Sequence, residues 1–124
     1  MHIVHGMASL FTMSLAELAT GPTASLFEGA PRAGNGISMF VVRTPPGRTV
    51  ELHVHPYPET FVLLEGRARW TAGDETVELD AGHVLVVPPN TRHGFRNIGE
   101  VPLLLVSVHE NGTVDQTWLG EEPS

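Results

Sequence analysis

The chain contains no cysteine. Thiolate metal sites, cysteine nucleophiles and disulfide frameworks are therefore excluded together, and any metal would be held by nitrogen and oxygen. Basic residues are scarce: 7 Lys and Arg stand against 14 Asp and Glu, giving a formal net charge of −7. A phosphate-backbone partner needs a basic stripe, and no nucleic-acid partner is expected. Long apolar runs are also missing. The stretch Met7–Leu15 is mildly apolar but broken by Ser and Thr, with no basic residue before it. It fits neither a transmembrane helix nor a signal peptide. A soluble cytoplasmic protein with no membrane partner is the expectation.

What the chain does have is one domain's worth of length, 124 residues, and 7 histidines. A single core can bury enough apolar surface at this size without a covalent staple. No linker, repeat or low-complexity stretch divides the sequence, so residues 1–124 read as one domain.

Helix signals are confined to the start. Ser14-Leu15-Ala16-Glu17 fits a capping box and predicts a short helical turn, with Gly21-Pro22 as the stop. Short runs rich in Val, Leu, Ile, Phe and Thr follow, each bounded by Gly, Pro, Asn or Asp. The predicted strands are Ile37–Arg43, Thr49–His55, Thr60–Glu65, Ala68–Thr71, Glu75–Leu79, His83–Val87, Gly94–Asn97, Leu103–His109 and Gln116–Leu119. Pro45-Pro46-Gly47 suits a type II turn, Ala72-Gly73-Asp74-Glu75 a hairpin, and Pro88-Pro89-Asn90 a tight reversal. Many short strands at close spacing indicate an all-β sandwich or barrel.

Two strands do not alternate. Phe61-Val62-Leu63-Leu64 and Leu103-Leu104-Leu105-Val106 are apolar on both faces, so something must cover the outer one. The N-terminal segment and a second copy of the chain are the two choices; a homodimer is preferred.

The chemistry-bearing residues are His53, His55, Glu59 and His93. Side chains at i and i+2 of a strand leave the same face, so His53 and His55 can reach one point. Pro56-Tyr57-Pro58 forces a bend that can return Glu59 to that point. His93 is distant in sequence and needs a closed fold to join them. Three neutral imidazoles and a carboxylate are an ordinary ligand set for a divalent first-row metal at about 2.0–2.2 Å. Each residue alone reads more simply as a surface or hydrogen-bonded side chain, and His-x-His by itself is weak evidence.

The frame around them is more specific. Gly47, five residues, His53-Val54-His55, three residues, Glu59, six residues, Gly66 is similar at every spacing to the first cupin motif, here at 47–66. Gly82, five residues, Pro88-Pro89-Asn90, two residues, His93, three residues, Asn97 resembles the second, at 82–97. The departure is Asn90, where the family prefers Gly; Asn tolerates the left-handed backbone that such a turn needs. The resemblance implies a double-stranded β-helix (jelly-roll) barrel. It also implies a divalent transition metal (Fe, Mn, Ni, Zn or Cu) on His53, His55, Glu59 and His93. A small organic substrate or ligand would be its partner. Small metal-containing cupins resemble dioxygenases first, with isomerases and cyclases as other outcomes and a non-catalytic ligand-binding or sensing barrel as the alternative. Glu59, the only carboxylate of the set, is the candidate general base.

The remaining candidates carry simpler readings. His83 is expected at the rim or surface. His109 ends an apolar strand on the face of Ser107, and a place in the barrel lining is the minority reading, since strand-end registers are poorly fixed by sequence. His2 and His5 are expected in solvent. Phe40, Phe61, Trp70, Phe95 and Trp118 read as core or interface residues, one or two of which can wall a pocket. Tyr57 is a candidate donor at the pocket mouth. Arg69, Arg92 and Arg96 are expected to face water.

Overall fold

A computed structural model describes residues 10–124; His2 and His5 lie outside the described residues. Eleven strands run β1 (Ala19–Gly21), β2 (Ala24–Glu28), β3 (Ser38–Thr44), β4 (Thr49–Val54), β5 (Glu59–Glu65), β6 (Arg67–Ala72), β7 (Glu75–Asp80), β8 (His83–Val87), β9 (His93–Asn97), β10 (Leu103–His109) and β11 (Thr117–Trp118), with α1 (Gly29–Ala33) after β2. They form two antiparallel sheets, ordered β1-β2-β3-β10-β5-β8 and β11-β4-β9-β6-β7. From β3 onward the chain passes repeatedly from one sheet to the other. Such alternation is how a double-stranded β-helix winds, and the jelly-roll barrel is the observed fold.

Alternation within the strands builds the core. In β5, Glu59, Phe61 and Leu63 are buried while Thr60 and Val62 are only partly so. In β10, Leu103, Leu105, Ser107 and His109 are buried and the residues between them are not. Phe61, Leu63, Val87, Leu103 and Leu105 from one sheet meet Ala68, Trp70 and Phe95 from the other in one apolar cluster. Burying side chains of this size contributes roughly 1.5–3 kcal/mol each.

Turn chemistry sets the strand spacing. Gly47 has φ 78° and the Arg48 N–H donates to the Pro45 carbonyl at 3.2 Å, closing the expected type II turn. Asn90 has φ 59° and is the one non-glycine residue in the left-handed region among the described residues. Its N–H donates to the His55 carbonyl at 2.8 Å, which ties the second motif's turn to the first motif's histidine.

The N-terminal part differs from expectation. Residues 15–18 form a turn with Ser14 Oγ accepting from the Glu17 N–H at 3.1 Å, as the capping box requires, but no helix grows from it. Gly21-Pro22 turns the β1–β2 hairpin instead of ending a helix, because β2 finds a pairing edge on β3. The short helix is α1, ended by Gly34 in the left-handed conformation.

Candidate metal centre

His53 lies on β4 directly opposite His93 on β9 in the strand register. His55 follows the last residue of β4, and Glu59 opens β5 after the Pro56-Tyr57-Pro58 bend. The β4–β9 register slips between Val50 and His53, three residues on β4 opposing two on β9. This bulge bends β4 toward Gly94, and an added Cβ there would lie 2.5 Å from the Val50 carbonyl oxygen. Bare glycine backbone is what permits the approach that sets His93 beside His53.

One ligating atom from each of His53, His55, Glu59 and His93 lies within 4.8 Å of all the others. All four residues are at most 5% exposed, so water competes weakly for their donor atoms. The imidazole Nδ1 atoms are committed to the backbone. His53 Nδ1–H donates to the Glu51 carbonyl (2.8 Å), His55 Nδ1–H to the Asp115 carbonyl (2.9 Å), and His93 Nδ1–H to the Thr91 carbonyl (2.8 Å). These bonds fix the neutral tautomer that leaves a lone pair on each Nε2. The Nε2 atoms of His55 and His93 stand 3.0 and 2.8 Å from Glu59 Oε1. Lone pairs converging on a carboxylate oxygen repel unless a proton or a cation lies between them. The donor set fits a divalent cation, and these four residues could hold one.

The electrostatics follow from burial and proximity. Burial pushes His53 down to about 4, against the opposing pull of its hydrogen bond to Glu51. For His55 burial acts in the same direction, but the Glu59 hydrogen bond outweighs it and the imidazole is raised. Burial pushes the Glu59 carboxyl up, yet His109, His55 and His93 together hold it well below the usual carboxylate range.

A cavity of about 420 Å³ opens beside His53 and Glu59, walled by Phe40, Phe61, Phe95 and Trp118, with Ser107, His109, Gln116 and Arg48 as polar lining. That volume falls in the range of small-molecule sites. Trp118 stacks over His53 with ring centroids 4.7 Å apart. A larger cavity of about 690 Å³ lies between residues 10–18 and the outer face of β2 and β3, where Phe27, Met39 and Val41 line it. It contains no His, Asp or Glu and lies away from the four-residue cluster.

Several other residues take definite places. His83 is exposed, with Nδ1 2.8 Å from the Asp80 carbonyl, as expected of a surface residue. Arg69 pairs with Glu78 at 3.0 Å, Arg92 with Asp74 at 3.4 Å and Arg96 with Glu122 at 3.7 Å, so none enters the site. Tyr57 is buried rather than placed at a pocket mouth: its ring stacks on His55 (centroids 5.0 Å, 12°) and its hydroxyl meets His109 Nδ1 at 2.7 Å. His109, at 1% exposure, reaches the site itself, its Nε2 lying 3.1 Å from Glu59 Oε2. The Asp115 backbone, which serves both His55 and Tyr57, gave no signal in the sequence.

Residues 40–109 match the family model described as the cupin domain. The chain belongs to the cupin family. This cupin is 43% identical over 56 residues to the polyketide synthase CurC of Streptomyces cyaneus, covering 44% of the chain and 36% of that protein. It is 44% identical over 54 residues to the quercetin 2,3-dioxygenase of Bacillus subtilis, covering 42% of the chain and 16% of that enzyme. A solved structure of Bacillus subtilis oxalate decarboxylase, with Mn(II) centres, superposes with a TM-score of 0.76 at 25% identity, over 85% of this chain and 31% of that one. The chain thus spans well under half the length of each of these proteins. Among the described residues, no helix is long and apolar enough to cross a membrane.

Proposed function

We propose that this cupin is a metal-dependent enzyme acting on a small organic substrate, with His53, His55, Glu59 and His93 holding one divalent transition metal ion, and that dioxygenase-like oxidation is its chemistry. The observation that carries the reading is the shared commitment of three Nδ1–H groups to backbone carbonyls, which turns three Nε2 lone pairs and one carboxylate toward a single point. Bound there, the ion would supply Lewis acidity and a centre for O₂ activation.

The chain's own groups define the rest. The aromatic walls Phe40, Phe61, Phe95 and Trp118 favour a flat, largely apolar substrate and shield the site from water. With one carboxylate against a divalent ion, the site keeps a net positive charge, which suits an enolate or phenolate oxygen. Glu59 is the candidate base, but its depressed carboxyl makes it a weak one while imidazoles donate to it. It gains basicity when the His55 and His93 Nε2 atoms are occupied by a cation rather than protonated. The likeness to a quercetin dioxygenase favours oxygen chemistry over isomerisation or cyclisation.

The test is anaerobic loading with Fe(II) or another first-row metal, followed by O₂ uptake with a panel of enolic and phenolic compounds. Substrate-dependent uptake supports the reading. Conversion without uptake points to an isomerase or cyclase, and a ligand bound tightly but returned unchanged points to a sensing barrel; either result overturns the dioxygenase reading.

A second copy of the chain is the proposed macromolecular partner. The outward-facing Val84 and Val86 on edge strand β8 and Leu64 on β5 are 63%, 58% and 49% exposed, forming an apolar strip suited to self-association. Sedimentation is expected to give a dimer that Val84→Asp with Val86→Asp converts to a monomer; an unchanged dimer would place the interface elsewhere.

A further inference from the structure

Four buried histidines surround Glu59, and one is wired differently from the other three. His109 is the register partner of Glu59 across β10 and β5, so the two side chains leave neighbouring strands on the same face at the same height. The Nδ1 of His109 does not face a backbone carbonyl. It faces the Tyr57 hydroxyl at 2.7 Å, and that hydroxyl oxygen in turn accepts the Asp115 N–H at 3.1 Å.

This order fixes the protons. With its oxygen occupied by the Asp115 donor, the Tyr57 hydroxyl is free to donate its own proton to His109 Nδ1. The His109 proton then sits on Nε2, facing Glu59 Oε2. The opposite tautomer would leave the tyrosine proton without an acceptor and set a lone pair against the carboxylate. His109 is thus a donor where His53, His55 and His93 are acceptors. The N···O separation of 3.1 Å is within ion-pair range, although the N–H lies off the line of an ideal hydrogen bond; a small tilt of the carboxylate aligns it.

We propose that His109 and Tyr57 are positioning residues that grip Glu59 by Oε2 and so turn Oε1 toward the His55 and His93 nitrogens. The inference rests on the reading of His53, His55, Glu59 and His93 as a metal site. An ungripped carboxylate can rotate and present either oxygen, or both; a gripped one presents Oε1 alone. The grip reaches beyond the barrel, because the segment supplying the Asp115 N–H is held by the Val114 N–H donating to Glu28 Oε2 at 2.9 Å and the Ala30 N–H donating to the Gly112 carbonyl at 2.9 Å. Outer partners of this kind commonly change metal affinity by about 10–100-fold when removed.

Co(II) is the probe, read by its visible absorption spectrum and by competition with a chelator, in the wild type, Tyr57→Phe, His109→Leu and His109→Gln. Circular dichroism checks that each variant is folded, and Tyr57→Phe, nearly isosteric, keeps the test open if His109→Leu does not fold. Tyr57→Phe and His109→Leu are expected to weaken Co(II) binding by about 10–100-fold and to change the spectrum. His109→Gln, whose amide can accept from Tyr57 and donate to Glu59, restores both to near wild type. Folded Tyr57→Phe and His109→Leu proteins with wild-type affinity and spectrum would overturn the positioning role while leaving the metal site intact. A spectrum altered by both His109 variants but untouched by Tyr57→Phe would make His109 a ligand, which also overturns it. Failure of the wild type to bind Co(II) would remove the metal reading, and this inference with it.

Discussion

Gly94→Ala tests whether strand spacing sets the metal centre without altering a ligand. The added Cβ would lie 2.5 Å from the Val50 carbonyl oxygen and 3.1 Å from two further backbone atoms of Glu51. Ordinary contact begins near 3.4 Å, and all three obstacles are backbone that cannot rotate aside. Strand β9 must therefore retreat from the β4 bulge by about 1 Å. His93 begins β9 one residue before Gly94, and its register partner is His53, so the displacement falls between two of the four donors. Metal sites tolerate ligand-distance errors of about 0.2 Å, several times less than this shift. Overpacking of this kind costs about 1–3 kcal/mol of stability, and the displaced imidazole is expected to weaken metal binding by at least about tenfold. Urea denaturation of the metal-stripped protein gives the first number, and chelator competition on the folded variant gives the second. A folded Gly94→Ala protein that binds metal like the wild type would refute the argument that close backbone approach sets the geometry.

Other expectations follow from the same contacts. In metal-stripped protein, the unfolded chain protonates His53 near its ordinary value of 6.5, while the folded chain resists until about 4. The unfolded state therefore binds more protons in that window, and the His53 contribution to stability falls by roughly 3 kcal/mol as pH drops from 6.5 to 4. The raised His55 opposes this trend and Glu59 adds to the loss only below its ordinary value. Urea midpoints across that range should show a steeper acid loss in the wild type than in His53→Gln; parallel curves would contradict it. Asn97 is 1% exposed, donates to the Thr44 and Val101 carbonyls at 3.0 and 2.9 Å and accepts from the Gly99 N–H at 2.9 Å. Asn97→Ala orphans all three backbone groups and is expected to cost about 2–4 kcal/mol with no change in metal stoichiometry. A loss of metal from a folded variant would show that the residue does more than hold its loop.

Much of this arrangement was legible in the sequence because local rules carried it. The i, i+2 spacing of His53 and His55 does place both rings on one face, with centroids 4.9 Å apart. The positive φ at Asn90 bears out its reading as a tolerable substitute for glycine. The strands from Ser38 onward fall within a residue or two of their expected bounds, since alternation and turn residues are both local. What was hidden depends on distant partners. Strands β1 and β2 have weak patterns of their own and exist because β3 offers an edge. Tyr57 and His109 are separated by 52 residues in sequence, and their link to Glu59 requires the β5–β10 register and the placement of Asp115, neither of which composition encodes. The bulge opposite Gly94 is hidden for the same reason.

The most direct measurement is elemental analysis of the protein as purified from metal-replete cells, beside the His53→Ala, His93→Ala double variant. The account predicts close to one first-row transition metal ion per chain in the wild type and almost none in the folded double variant. Stoichiometric metal retained by that variant would contradict the centre built from His53, His55, Glu59 and His93.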